Sequence, residues 1–436
     1  MTGFRTRGQP AATRALEAMI AAGPPHALLI VGPSSAGKTT LALDLAAALL
    51  CDAPDPAVRP DRTCRGCRLV DAGNHPDLHR LAPEGAGGQI TIGQVRGLIG
   101  ELALLPVEGG ARVAILEAAD RLNEDAQNGL LKTLEEPPDG LTIVLCADEE
   151  DRLLPTVQSR VARLRLGVLG TRDIEALLGE RGEADAALAA RLARFAAGRP
   201  GRAIAYARFP EAVTIRGELT RGLLDLLDAG SARRLTAGRE LLARAGDLAS
   251  GLIAATGRTR AAEAAPRRKG GLKAGAVGGS ARTGPAGPTG ATAPFAVTGA
   301  DAYAPDVPAS DGEPPGDDAV ATGRNSPAER RRNALALLEV WRDLARDLML
   351  VSLGDAREIR EPDLLEELRA HAARTSPATL AGFLARLDRA AELLDGNANP
   401  ELTVDVLVLA WPRSAGSAPA ARHQSVGNRF VAGAVG

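Results

Sequence analysis

The run Gly32-Pro33-Ser34-Ser35-Ala36-Gly37-Lys38-Thr39 has the residue types and spacing of a phosphate-binding loop. Its glycines let backbone N–H groups curl around an anion, and the N-terminus of the helix that follows adds positive potential. Lys38 is placed to reach the outer phosphates and Thr39 to ligate magnesium, with Thr40 beside it. The octet lies between an apolar run, HALLIV, and an apolar helical pattern, TTLALDLAAALL, which is the strand–loop–helix setting this motif requires.

The acids that would complete a hydrolytic site are another matter. A loop of this kind usually works with a second apolar strand ending in Asp-Glu, one acid for magnesium and one to activate water. Here the strand reads VAILEAAD, so Glu117 is followed by Ala118, and Asp120 comes two residues later. Glu117 still has a carboxylate for magnesium, displaced by its extra methylene, but Ala118 has nothing with which to polarise water. Phosphoryl transfer depends on positioning and electrostatics around the nucleophile, so the sequence predicts a site that binds ATP with Mg2+ and scarcely turns it over. Asp148, directly after LTIVLCA, points the same way, because a carboxylate facing a phosphate repels it. Cys146, inside that run, reads as a buried and inert strand residue.

These groups need a framework, and the hydrophobic pattern provides one. HALLIVG (26–32), a segment near 77–82, RVAILE (112–117) and LTIVLCA (141–147) read as strands, and residues 10–22, 39–50, 91–105 and 124–136 as helices. Strands alternating with helices predict a parallel sheet covered on both faces. After about residue 166 only helices are expected, with Thr171 capping one and Gly198 ending another, and with further helices over 211–255, 329–349, 361–373 and 377–395. The Gly/Ala/Pro/Thr-rich stretch over 257–328 has too little apolar surface to offset its ordering entropy and reads as a disordered tether, basic in its first half and acidic in its second.

Bulk properties narrow the classes. A chain of 436 residues is too long for one ordinary core. With 2% aromatic residues and much Ala and Gly, the cores must be built mainly from Leu, Val and Ala. A net charge of −2 gives no reason for the whole surface to bind nucleic acid, so any DNA contact is local or shared with partners. No run of 18 uninterrupted apolar residues occurs, so a membrane span is not expected, and MTGFRTRGQPAATR lacks the apolar core of a secretory signal. Three of the four cysteines fall between Cys51 and Cys67, a crowding that suits a metal site in a reducing cytoplasm better than a disulfide framework.

Several motifs together carry a family resemblance. NGLLKTLEEPPDG (128–140), HALLIVGPSSAGKTT, LLPTVQSR (153–160) and the Cys-rich insert resemble the clamp-loader subunits of bacterial DNA polymerase III, which are AAA+ proteins. The likeness spans roughly residues 4–208 and, more weakly, 329–412, where NANPELTVDVLVL resembles the end of a collar domain. Two kinds of subunit share the pattern, the ATP-hydrolysing gamma/tau motor and the delta-prime type. The decayed acid pair, AGRPGRA (197–203) and the length favour delta-prime. The implied architecture is α/β: a P-loop AAA+ parallel-sheet domain over 1–165 with a Cys-rich zinc insert at 51–67, a helical lid over 166–208, and a separate all-α collar over 209–256 and 329–412. The linker at 257–328 interrupts the collar, and 413–436 is expected to be a flexible tail.

The resemblance also implies roles. Such a subunit is a stator that helps the motor (gamma/tau) and delta subunits open a sliding clamp and close it on primed DNA. Ser159-Arg160 matches the Ser-Arg whose arginine reaches the ATP of the adjacent motor subunit, where a guanidinium neutralises charge on the transferring phosphoryl group. Family members hold zinc with four cysteines. Here the matching positions are Cys51, Asp61, Cys64 and Cys67, with Asp61 in the place of the second thiolate, and His75 is a rival fourth ligand. A carboxylate oxygen ligates zinc at about the distance of an imidazole nitrogen, so a three-sulfur, one-oxygen site is feasible, though weaker than four thiolates. For the lid arginine that contacts nucleotide in the family, the preferred register places Gly201, and Arg202 beside it is kept as a candidate. The alternatives are an autonomous AAA+ motor, with Asp120 or Glu124 positioning water, and a small-molecule P-loop kinase.

Overall fold

A computed structural model describes residues 3–83, 88–108, 110–264 and 326–413, with backbone alone over 257–264. The first part is the expected parallel sheet. Helix α1 (Pro10–Ala22) precedes β1 (Ala27–Val31), α2 (Lys38–Leu49), α3 (Arg65–Ala72), β2 (Leu78–Leu81), α4 (Ile92–Leu102), β3 (Arg112–Leu116), α5 (Glu124–Glu135), β4 (Leu141–Ala147), α6 (Pro155–Gln158) and β5 (Ala162–Arg165). The strands run parallel in the order β2-β3-β4-β1-β5. Consequently the C-terminal ends of three neighbours, β3, β4 and β1, deliver Glu117, Asp148 and Gly32 to one edge, the place where open α/β sheets take ligands.

Period-two alternation divides the strand side chains between two cores. Leu28 and Ile30 of β1 face Leu41 and Leu45 of α2 with Leu16 of α1, while Leu29 and Val31 face Val95 of α4 and Leu130 of α5. All five residues of β1 and all seven of β4 are buried, which is why both read as unbroken apolar runs. The edge strand β5 escapes the sequence pattern: ARLR is short and half basic, and only Leu164 is buried within it. Helix α4 ends at Leu102, short of the predicted 105. Pro106 restricts Leu105 to extended backbone, and Leu104, Leu105 and Val107 stand exposed.

The described residues after β5 are helical: α7 (Thr171–Glu180), α8 (Ala186–Ala196), α9 (Pro200–Ala207), α10 (Glu211–Asp225), α11 (Ser231–Ala264), α12 (Pro327–Ser352), α13 (Leu365–Ala372), α14 (Pro377–Asp395) and α15 (Pro400–Ala410). One apolar cluster runs through all nine, from Leu169 to Trp411. The few aromatic residues concentrate there. Trp341, Phe383 and Trp411 pack with centroids 4.6–5.5 Å apart, and the Trp411 indole donates to the Leu223 carbonyl at 3.0 Å. Arg234 closes the bundle by donating to the carbonyls of Trp411 at 2.5 Å and Pro412 at 3.0 Å.

Local chemistry accounts for several boundaries and corrects others. Asn123, Asp185 and Asn399 cap α5, α8 and α15 through their side chains, and Ser326 with Glu329 forms a capping box on α12. Thr171 is the first residue of α7 rather than its cap, a position taken by Gly170. Helix α11 continues through 257–264, where the sequence predicts linker; Ala, Arg and Glu there are strong helix formers, and the next proline is Pro266. The rest of the predicted linker, from 265 to 325, and the tail beyond Arg413 lie outside the described residues. Among the described residues, no helix is long and apolar enough to cross a membrane.

Candidate functional site

The phosphate-binding loop is built by what flanks it. β1 lies between β4 and β5, and the Gly32 N–H donates to the Ala147 carbonyl at 3.2 Å, which pins the start of the loop to the end of β4. A Cβ at Gly32 would sit 2.5 Å from the Leu166 carbonyl, so that position must be glycine. Ser35 and Gly37 adopt positive φ, 63° and 103°, which turns the loop into the first turn of α2. Pro33, Ser34, Ser35 and Thr40 are exposed, Thr39 is half-buried and Ala36 is buried. The first N–H groups of α2 have no intrahelical acceptor and face the loop, as anion binding requires.

Lys38 is buried, and its ammonium donates to the Gly32 carbonyl at 2.8 Å, to the Pro33 carbonyl at 2.9 Å and to Asp148 Oδ1 at 2.5 Å. Glu117 is at the end of β3 as expected, but its carboxylate accepts from Arg80, through Nε at 3.0 Å and again through a terminal nitrogen. Asp120 accepts the Asp148 N–H at 3.4 Å, and burial together with the Asp148 charge pushes its carboxyl above the usual range. Glu124 is exposed in the first turn of α5. Burial raises the Cys146 thiol to about 12, which keeps it protonated and inert.

Helix α9 approaches the loop from the helical region. The Gly201 N–H donates to the Ser35 carbonyl at 3.0 Å, and a Cβ at 201 would press on that oxygen at 3.2 Å. Arg202 turns the other way: its guanidinium bonds to Glu339 of α12 and to the Tyr206 hydroxyl at 3.2 Å, and burial lowers it to about 10. Arg199 shares Glu339.

Arg160 follows α6 at the surface. It donates to Glu135 through Nε at 2.9 Å and a terminal nitrogen at 2.6 Å, and to the Thr156 carbonyl and the Ser159 hydroxyl. All of these partners belong to α5, α6 and the residue after it, and none to the P-loop.

The Cys-rich insert converges as the resemblance implies. One ligand atom each from Cys51, Asp61, Cys64 and Cys67 lie within 4.8 Å of one another. The Cys51 and Cys64 sulfurs are 3.8 Å apart. That is about the edge, ~3.8 Å, of a tetrahedron with metal–sulfur bonds of about 2.3 Å, so the donor set fits zinc. Asp61 Oδ1 accepts the N–H groups of Cys64 at 3.0 Å and Thr63 at 2.9 Å, which hold its carboxyl below the ordinary range and aim it into the cluster. Cys64 caps α3, and the Gly66 N–H is held by Asp52 at 2.8 Å. Arg62 fastens the insert to α2 by pairing with the fully buried Asp44, which also accepts from the Arg5 and Thr6 N–H groups at 2.9 Å. His75 is not in the cluster; its Nδ1 accepts the Asp77 N–H at 3.1 Å.

Three features of the site have no local sequence signal: the Lys38–Asp148 pair, the Arg80–Glu117 pair and the hold of Glu339 on α9. Each joins residues far apart in the chain, and only the sheet order or the packing of α12 reveals it.

The comparisons with known proteins converge on one family. Residues 8–169 match the family described as DNA polymerase III, delta subunit. The DNA polymerase III subunit delta' of Pseudomonas aeruginosa is 43% identical over 135 residues, 31% of this chain and 41% of the relative. The Bacillus subtilis subunit delta' is 35% identical over 156 residues, 36% of this chain and 46% of the relative. The gamma/tau subunit of Mycobacterium bovis is 34% identical over 156 residues, 35% of this chain and 26% of the relative. The matched region thus spans less than half the length of these relatives. Over the sheet domain, the resemblance to the delta-prime type drawn from the sequence holds.

Proposed function

We infer that this chain is the delta-prime subunit of a DNA polymerase III clamp loader, a stator against which motor subunits open a sliding clamp and close it on primed DNA. The observation that supports it best is an asymmetry between two sites. The P-loop, with Lys38 and Thr39, is formed for nucleotide, yet Ala118 stands where the acid that activates water belongs, and Glu117 is bonded to Arg80. Arg160, meanwhile, is at the surface and held by a half-exposed Glu135. A guanidinium so placed can leave an exposed carboxylate at little cost, because such pairs are worth about 0–1 kcal/mol. It is then available to a phosphoryl group on a neighbouring subunit.

In this reading Gly32 to Thr40 and Glu117 bind ATP with Mg2+, the motor (gamma/tau) and delta subunits are the immediate partners, and the clamp and DNA are met mostly through the assembly. In the loader reconstituted with its motor and delta subunits, Arg160→Ala should lower DNA-stimulated ATP turnover about tenfold or more. Assembly, followed by gel filtration, should be retained. Unchanged turnover would remove Arg160 from the mechanism. The autonomous-motor alternative requires Asp120 or Glu124 to position water. It predicts phosphate release by the isolated chain, lost with Lys38→Ala; the stator reading predicts almost none.

Cys51, Asp61, Cys64 and Cys67 would hold one zinc ion. All four donors are protein groups, so the ion would keep no position open for substrate and its contribution would be to fix the insert on α2. Chelator-free protein should carry about one equivalent of zinc, and Cys64→Ala should lose it. A folded, metal-free wild-type preparation would refute the assignment.

A further inference from the structure

The P-loop lysine is already saturated. An ammonium has three N–H donors, and those of Lys38 go to Gly32, Pro33 and Asp148. Two of these acceptors are carbonyls of the loop itself. The third is a carboxylate supplied by β4, and its place is set by backbone rather than by chance: Ala147 pairs with Val31, and the Gly32 N–H donates to the Ala147 carbonyl. Asp148 is therefore one residue beyond a buried strand that runs beside the loop's own strand. Its N–H is in turn held by Asp120 at 3.4 Å, a second carboxyl on the same edge. Arg199, in the helical region, has its guanidinium on Glu339.

The charges of this edge treat the phosphates of a nucleotide unequally. The inner phosphates meet loop N–H groups and the α2 N-terminus. An outermost third phosphate needs Lys38, and so must either displace Asp148 or lie against it. We propose that Asp148 makes this loop a nucleoside-diphosphate site, its carboxylate holding Lys38 in the place of the terminal phosphate of a triphosphate, so that ADP is bound in preference to ATP. The proposal rests on the reading of residues 32–39 as a nucleotide loop and deepens it. It also accounts for Ala118: a site that retains a diphosphate has no use for an acid that activates water. A bound diphosphate would leave Gly201 on Ser35 undisturbed through the neighbours' cycles, as suits a stator.

The test is equilibrium binding of ADP and ATP, each with Mg2+, to the nucleotide-free full-length chain by isothermal titration. Wild type should bind ADP at least about tenfold more tightly than ATP, a difference of about 1.4 kcal/mol. Asp148→Asn keeps the side-chain shape and removes the charge; it should bring the two affinities within about threefold of each other, mainly by tightening ATP. Circular dichroism on the variant establishes that it is folded. Equal affinity or an ATP preference in wild type, or an unaltered ratio in Asp148→Asn, overturns the diphosphate assignment and leaves the nucleotide loop standing. Failure of both nucleotides to bind wild type overturns the loop reading as well.

Discussion

Arg160 and Arg216 both hold carboxylates, in opposite surroundings. Arg160 is about a third exposed and leans on Glu135, itself half exposed. Arg216, on α10, is 1% exposed; it bonds Asp343 of α12 and Glu361 at 2.8 Å each, and its guanidinium stacks over the Phe195 ring at 4.7 Å. The first pair is screened by water and readily exchanged. The second is shut off from water, with Nε on Glu361, one terminal nitrogen on Asp343 and the other without a hydrogen-bond partner, so neither side can leave without stranding a charge. Two arginines of identical chemistry are thus separated by burial, one left exchangeable at the surface and one joining α8, α10 and α12.

The largest effect that would break this contrast lies at Arg216. Arg216→Ala leaves Glu361 buried without its partner and should cost about 3–5 kcal/mol. Arg160→Ala should change stability by no more than about 0.5 kcal/mol, because it removes only an exposed pair. Urea unfolding followed by circular dichroism compares the two variants directly. Similar midpoints would mean that burial does not separate the two arginines.

The same contrast explains what was legible in the sequence. The P-loop was readable because its eight residues are contiguous and their neighbours are one strand and one helix. Asp148 was readable as an unfavourable residue at a strand end, but its bond to Lys38 was not, since the two are brought together only by β4 pairing with β1. The candidate metal ligands came from the family resemblance, with Asp61 and His75 as rivals for the fourth place; the structure gathers Asp61 with Cys51, Cys64 and Cys67 and turns His75 to Asp77. β5 was missed because an exposed edge strand keeps one apolar residue in alternation with arginines. The Arg216 cluster had no signal at all: its acids lie 127 and 145 positions away, on segments whose polar residues look like ordinary solvated faces.

A smaller effect tests whether that buried cluster is optimised for charge. Asp347, on α12, is 1% exposed and accepts the Arg360 N–H at 2.8 Å and the Glu361 N–H at 3.3 Å through one oxygen. Burial outweighs these bonds and the nearby Arg346 and Arg216 charges, pushing the carboxyl up to about 6 from an ordinary 3.8. A raised carboxyl binds its proton more tightly in the folded chain than in the unfolded one. Its contribution to stability is therefore greatest in acid and is lost as pH climbs from about 4 through about 6. Asp347→Asn removes the charge while its amide oxygen still accepts both N–H groups, so the variant should be more stable than wild type at pH 8 by about 1 kcal/mol. The gain should vanish near pH 4, where Asp347 is already neutral when folded. Urea midpoints of both proteins at pH 4 and pH 8 decide it. A variant less stable than wild type at pH 8 would mean that the surrounding arginines hold Asp347 as an anion, and that the whole cluster, unlike the pair at Arg160, depends on every one of its charges.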